Sequence, residues 1–282
     1  MSRTPFPTPY AGAYYPIFDD GWVEPTDKMP FDKVSALFIA FAHAYPLNTA
    51  APDKGAEFTF QKNQKNQSDR VKQIMDVARR GNPNIKIIIT LGWGMNDWTY
   101  INADYNGIYS QFPTSVFKFV QKYGFDGFDI DDEYIGDDPS NCQEKSGCIT
   151  PKNFNGVVSK LRRLFDAAST KDGKPYYLTI TPAFGTAHVT NENIANFDLV
   201  NCQCYGGTYP EMFKDMPYPK KQISYGIDTE DEDKDEDVKY PSEEDYAGLA
   251  GIFDWTLVSD GAKHNFKFTN KIAHDVGYPP VG

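Results

Sequence analysis

Residues 123–134 read YGFDGFDIDDEY, and few folds can hold that order of side chains. In an extended strand, alternate side chains share a face and repeat about every 6.6 Å. Asp129, Asp131 and Glu133 therefore point one way, and Phe128 and Ile130 the other. A barrel strand has one face packed by helices and one turned to the lumen. The apolar pair takes the helix side, so the three acids enter the barrel. Desolvation and mutual repulsion keep such a set from ionising together, and protons are held or shared. Glu133 ends the strand, on the side where barrel active sites lie. A carboxylic acid that keeps its proton near neutral pH is a general acid. A solvated acidic turn would not require this alternation with bulky apolar residues.

The rest of the chain supports a barrel. Eight β-rich runs occur at 12–17, 36–43, 85–91, 127–131, 176–181, 199–205, 222–226 and 251–255. Between several of them the apolar period changes from two to 3.6. Val71, Ile74, Met75 and Ala78 follow a helical rule, with Ser68 as the expected cap and Gly81 and Pro83 as the stop. Val116, Phe117, Val120 and Tyr123 line a second helix before Gly124, and Val157, Val158, Leu161, Leu164 and Phe165 a third. A terminal helix is expected over 266–276. Strands alternating with helices imply parallel pairing, and eight units imply an α/β fold, a single (β/α)8 TIM barrel over residues 1–282. Only 16 or 17 residues separate strands five, six and seven, with little helical periodicity, so those helices are expected to be short or missing. No G-x-G-x-x-G or P-loop follows any strand, which removes the usual ligand signal of an open doubly wound sheet.

The net charge of −11 argues against nucleic acid or an anionic membrane surface as partner. Residues 228–237, DTEDEDKDED, hold eight acids against one lysine. A solvated loop is expected there; a calcium site is the alternative, without the glycine-punctuated spacing of a known loop. No apolar run approaches the ~18 residues of a membrane span. His43, His188, His264 and His274 show no metal-ligand spacing, so no metal is expected. Cys142 and Cys148 flank a polar loop and can bridge in an exported protein, while Cys202 and Cys204 read as buried core.

Asp126-Gly127-x-Asp129-x-Asp131-x-Glu133 resembles the D-G-x-D-x-D-x-E signature of family 18 glycoside hydrolases, which include chitinases and endo-β-N-acetylglucosaminidases. The likeness extends to Ala13-Tyr14-Tyr15-Pro16, Ala40-Phe41-Ala42, Leu178-Thr179-Ile180-Thr181-Pro182, Gln203-x-Tyr205 and Gly251-Ile252-Phe253-Asp254-Trp255. In KIIITLGW, residues 86–93, Thr90 and Trp93 replace the serine and second glycine of the family's S-x-G-G.

The resemblance implies a retaining hydrolysis in which the sugar's own 2-acetamido carbonyl is the nucleophile. Glu133 would be acid and then base. Asp131 would accept the acetamido N–H, Asp129 would share a proton with Asp131, and Tyr205 would donate to the acetamido carbonyl. Trp255 would floor the sugar site, with Gln203, Trp93 and Asn96 as further binding candidates and Met95 and Trp98 weaker ones. No cofactor is implied. The partner would be an N-acetylglucosamine-containing glycan, acted on by a monomer. Secretion is expected from that substrate class, although MSRTPFPTPY carries no leader-like apolar stretch.

Asp132-Glu133-Tyr134, Tyr205-Gly206-Gly207-Thr208-Tyr209 and the weak late helices are similar to endoglycosidase H-type members, which slightly favours the N-glycan chitobiose core as substrate. Trp255 and the approach to strand three at 82–86 are more chitinase-like. A non-catalytic, chitinase-like sugar-binding protein is the alternative of another class; the presence of Glu133 weighs against it.

Overall fold

A computed structural model describes residues 3–51, 54–92, 96–105, 110–133, 149–186, 188–231 and 234–279. Eight parallel strands close into a barrel in the order β1 (Tyr10–Pro16), β2 (Ala36–Pro46), β4 (Lys86–Leu91), β5 (Gly127–Asp132), β6 (Tyr177–Pro182), β7 (Leu199–Cys202), β8 (Ile223–Asp228) and β9 (Gly251–Trp255), with β9 pairing back onto β1. This is the (β/α)8 TIM barrel that the alternation of elements implies. One strand was not anticipated. β3 (Ala56–Phe60) lies antiparallel on the extended end of β2, with Ala42 opposite Phe60 and Pro46 opposite Ala56.

The helices α1 (Gln67–Gly81), α2 (Asp97–Tyr105), α3 (Phe112–Tyr123) and α4 (Pro151–Asp172) cover the first half of the barrel. Between β6 and β7 the described residues form only a 3-10 turn, Ile194–Asn196, and between β7 and β8 only short 3-10 turns. The expectation of short or missing helices there holds. A single turn, α5 (Glu243–Tyr246), precedes β9, and α6 (Leu257–His264) and α7 (Lys267–Asp275) close the fold. The start of α1 corrects the expected Ser68 cap. Asn66 occupies the cap position at φ 58, with no side-chain cap bond, and Ser68 lies inside the first turn. A short amide residue tolerates that left-handed backbone better than most.

Alternation along the strands splits the core. Leu37, Ile39, Ile87, Ile89, Phe128 and Ile130 face outward and pack with Val116, Val120, Val157 and Leu161 of the helices. Tyr10, Tyr14, Phe38, Ile88, Tyr177, Leu199 and Phe253 fill the lumen. Cys202 and Cys204 are buried, as expected, in the outer layer. Cys142 and Cys148 lie outside the described residues.

Arg162 of α4 is buried and bonds Asp198, just before β7, at 2.6 Å. The same Asp198 oxygen accepts the Leu178 backbone N–H at 2.9 Å, so the pair ties a helix to two strands. Removing one partner of a buried pair strands the other charge, at a cost of about 3–5 kcal/mol. Arg3 also reaches Asp198, at 3.5 Å, so Arg162→Ala is expected to lower the unfolding free energy by about 2–3 kcal/mol, below that full cost, measured by urea denaturation.

Candidate active site

The signature segment divides into residues that build and residues that face the lumen. Asp126 accepts the Ile87 backbone N–H at 3.0 Å and a bond from Arg79 of α1, fixing the start of β5 against β4. A side chain at Gly127 would collide with the Tyr177 carbonyl of β6, so the strands approach only because glycine stands there. Beyond these two, alternation places Phe128 and Ile130 in the helix-packed layer and Asp129 and Asp131 inside the barrel.

Asp129 is fully buried. Its carboxylate accepts Thr179 Oγ1 at 2.6 Å and the Tyr14 hydroxyl at 3.0 Å, with Thr181 Oγ1 3.2 Å from both oxygens. Burial pushes its pKa up to about 6, against the opposing pull of these hydroxyl donors. Asp131 accepts Gln203 Nε2 at 2.8 Å. Burial first, then the charges of Glu133 and Asp129, hold its carboxyl well above the usual range. Among the described residues no hydrogen bond joins Asp129 to Asp131; each carboxyl is bonded elsewhere, and the two interact through charge. A Cβ at Gly92 would stand 2.6 Å from Asp131 Oδ2, so the carboxylate lies directly against the backbone after β4. Glu133, half-buried at the rim just past β5, is also raised, by desolvation.

Asp131, Gln203 and Glu133 share a cavity of about 330 Å³ at the C-terminal end of the barrel. That is room for about one sugar ring, at the small end of ligand pockets. Asp131, Glu133, Thr181, Gln203 and Tyr205 line it together with the aromatic rings of Tyr14, Phe18, Phe41 and Trp255. Tyr205 stands on a 3-10 turn, Cys204–Gly206, instead of in a strand reaching 205, because β7 ends at Cys202 and the chain turns through Gly207 at φ 88. Burial and the charge of Asp131 keep the Tyr205 hydroxyl protonated. Trp255 stacks on Phe41 with ring centroids 5.7 Å apart.

The rim also corrects the reading of the acidic run. Its first acids, Asp228, Glu230 and Asp231, line the cavity, and with Asp131 and Glu133 they make five carboxyl groups with no basic side chain among the lining residues. Asp228 Oδ1 accepts the N–H groups of Glu230 and Asp231, and burial pushes its pKa to about 6. Further along, Asp235 pairs with His264 and Lys267. Among the described residues of the run, 231 and 234–237 are exposed, as a solvated loop would be.

A model of the glycosyl hydrolases family 18 matches residues 14–242. The chain belongs to that family. Curated relatives include chitinase A1 of Niallia circulans, 32% identical over 142 residues, which are 46% of this chain and 19% of the relative. Chitinase B of Serratia marcescens is 28% identical over 141 residues, 44% of this chain and 26% of the relative. The matched segments thus span about a quarter or less of those relatives. Among solved structures, a class V chitinase mutant from Nicotiana tobaccum in complex with NAG4 superposes with a TM-score of 0.70 at 15% identity, covering 94% of this chain and 98% of that one. A family 18 N-acetylglucosaminidase from Paenibacillus barengoltzii gives 0.67 at 15% identity, covering 94% and 99%. At that identity the likeness speaks for the fold.

Of the family 18 candidates named from sequence, Glu133, Asp131, Tyr205, Gln203 and Trp255 meet at one cavity, with Asp129 bonded beneath through Tyr14 and Thr181. Asn96 is exposed at the start of α2 and does not line the cavity, and Trp98 is buried against Phe154. Trp93 and Met95 lie outside the described residues. Sequence reasoning missed Phe18 and the three rim acids, and did not single out Tyr14, Phe41 and Thr181 as site residues. The available signal for the acids was their place directly after a barrel strand, where sites gather.

The Asp129 shift has a measurable sign. Its folded pKa of about 6 lies above the ~3.9 of an unfolded aspartate, so the folded state holds the extra proton between those values. Its stabilising contribution is complete below pH ~4 and is lost as pH rises through ~6. In Asp129→Asn, the fall in unfolding free energy between pH 4 and 7 should shrink by about 2–3 kcal/mol. Denaturation at a series of pH values measures the difference.

Proposed function

We propose that this chain is a retaining glycosidase that hydrolyses the β-1,4 bond between two N-acetylglucosamine units, with the substrate's acetamido carbonyl as nucleophile. The observation that carries the reading is the convergence of Asp131 and Glu133, both with raised carboxyls, on a one-sugar cavity bounded by Tyr205 and Trp255. Glu133 is the acid at the rim and protonates the glycosidic oxygen. The acetamido oxygen closes on C1 to form an oxazolinium ion. Asp131 accepts the acetamido N–H and offsets the positive charge that develops there. Tyr205 donates its hydroxyl to the acetamido oxygen, and Trp255 supports the apolar face of the ring. Glu133, now a carboxylate, takes a proton from water as it opens the oxazolinium ion. Asp129 sets the charge state of Asp131 from below, through the field between them.

Chitin-type oligomers are the favoured substrate, supported by the similarity to chitinases. The N-glycan core is the second reading, favoured by the short connections after β6 and β7, which suit a branched glycan. We further propose one catalytic domain over 1–282, working as a secreted monomer. Mass spectrometry of products from chitin oligomers and from a high-mannose glycoprotein, side by side, tests the assignment. Shortening of the oligomers by whole N-acetylglucosamine units supports the chitinase reading. A single sugar left on the protein supports the N-glycan reading. Binding without cleavage of either substrate would return the protein to the sugar-binding class.

A further inference from the structure

The mechanism above leaves the acids of the β8 rim without a task, and one of them is fixed in place. The indole N–H of Trp255 donates to Glu230 Oε2 at 2.5 Å. The turn that carries Glu230 is folded onto the end of β9. Asp228 stands in register with Trp255, the Thr229 N–H donates to the Trp255 carbonyl at 2.8 Å, and Thr229 Oγ1 donates to Asp254 at 2.9 Å. Lys263 of α6 holds the Glu230 carbonyl at 2.5 Å. The acid thus sits on an anchored segment, and its charge-assisted bond reaches the one polar atom of the indole.

The ring needs such a bond. Stacking on Phe41 fixes the plane of the indole, and Tyr14 lies 5.3 Å away at 56°. Those contacts are apolar and do not distinguish the two edges of the ring. The N–H direction does, because a turned-over indole would lose its bond to Glu230. We propose that Glu230 is a positioning residue that locks Trp255 in the orientation presenting its face to the cavity, and so sets affinity for the sugar ring. The inference rests on the reading of Trp255 as the floor of the sugar site.

The test is a mutant cycle on the full chain, assayed with an N-acetylated chitooligosaccharide. Glu230→Ala should raise KM roughly 10-fold or more, within the range of a lost charge-assisted bond, with a smaller change in kcat. Glu230→Gln, whose amide oxygen still accepts the indole N–H, should recover most of the loss. Glu230→Asp keeps the charge but not the reach and should behave like the alanine variant; it also serves if the alanine variant fails to fold. In a Trp255→Phe background, which has no N–H, adding Glu230→Ala should change KM less than about twofold. Tryptophan emission should shift with Glu230→Ala in the parent and not in the Trp255→Phe background. A KM unchanged by Glu230→Ala and Glu230→Asp, or an equal loss in the Trp255→Phe background, overturns the proposal. If Trp255→Ala itself leaves KM unchanged, the floor assignment fails instead, and the two failures are told apart.

Discussion

Glu133→Gln is expected to lower kcat by about 10²- to 10⁴-fold, the range that a positioned general acid supplies. Glu133 ends the only run in which acids alternate with Phe128 and Ile130, and it opens onto the cavity beside Asp131. Desolvation raises its carboxyl, so near neutral pH it retains a larger share of its proton than an exposed glutamate. Glutamine has the same shape and no such proton to give. Sugar binding should survive, because the aromatic walls and Tyr205 are untouched; calorimetry with a chitooligosaccharide checks it. The substitution has a second consequence. The Glu133 charge is the largest influence on Asp131 after burial, so its removal should lower the Asp131 pKa. Carboxyl NMR titration reads that directly. Turnover equal to the parent would place the acid elsewhere.

Asp131→Asn carries the other large effect, an expected loss of about 10²- to 10³-fold in kcat, comparable with removing one preorganised electrostatic partner. Gln203 donates to Asp131 Oδ1, so an asparagine carbonyl would take that place. Its amide group would then occupy the second oxygen's position, beside Gly92. Two donors would meet where the acetamido N–H needs an acceptor, and no negative charge would offset the oxazolinium ion. The loss should fall mainly in kcat, since the interaction strengthens as charge develops. Steady-state kinetics with one chitooligosaccharide separates kcat from KM. A rise in KM alone would reduce Asp131 to a binding contact.

The barrel and the acid set were legible because both rest on short-range periodicity. Period two put Asp129 and Asp131 in the lumen, and the lack of helical period after β6 and β7 foretold bare connections. What escaped depends on partners distant in sequence. β3 is five residues long and exists because the end of β2 runs past the barrel and offers it an edge. Tyr205 looked like strand because its neighbours are β-formers, yet Gly206 and Gly207 let the chain turn. Eight acids between 228 and 237 look alike in composition. The close of β8 at Asp228 decides which of them meet Trp255 and which meet His264 and Lys267.

In the proposed mechanism the substrate's acetamido group performs the nucleophilic step inside this cavity. Paired aryl glycosides, a chitobioside and a cellobioside with the same leaving group, test it in one assay. The chitobioside should be hydrolysed, and the cellobioside should react at least about 10³-fold more slowly, since it lacks the intramolecular nucleophile. Comparable rates on the two would contradict it.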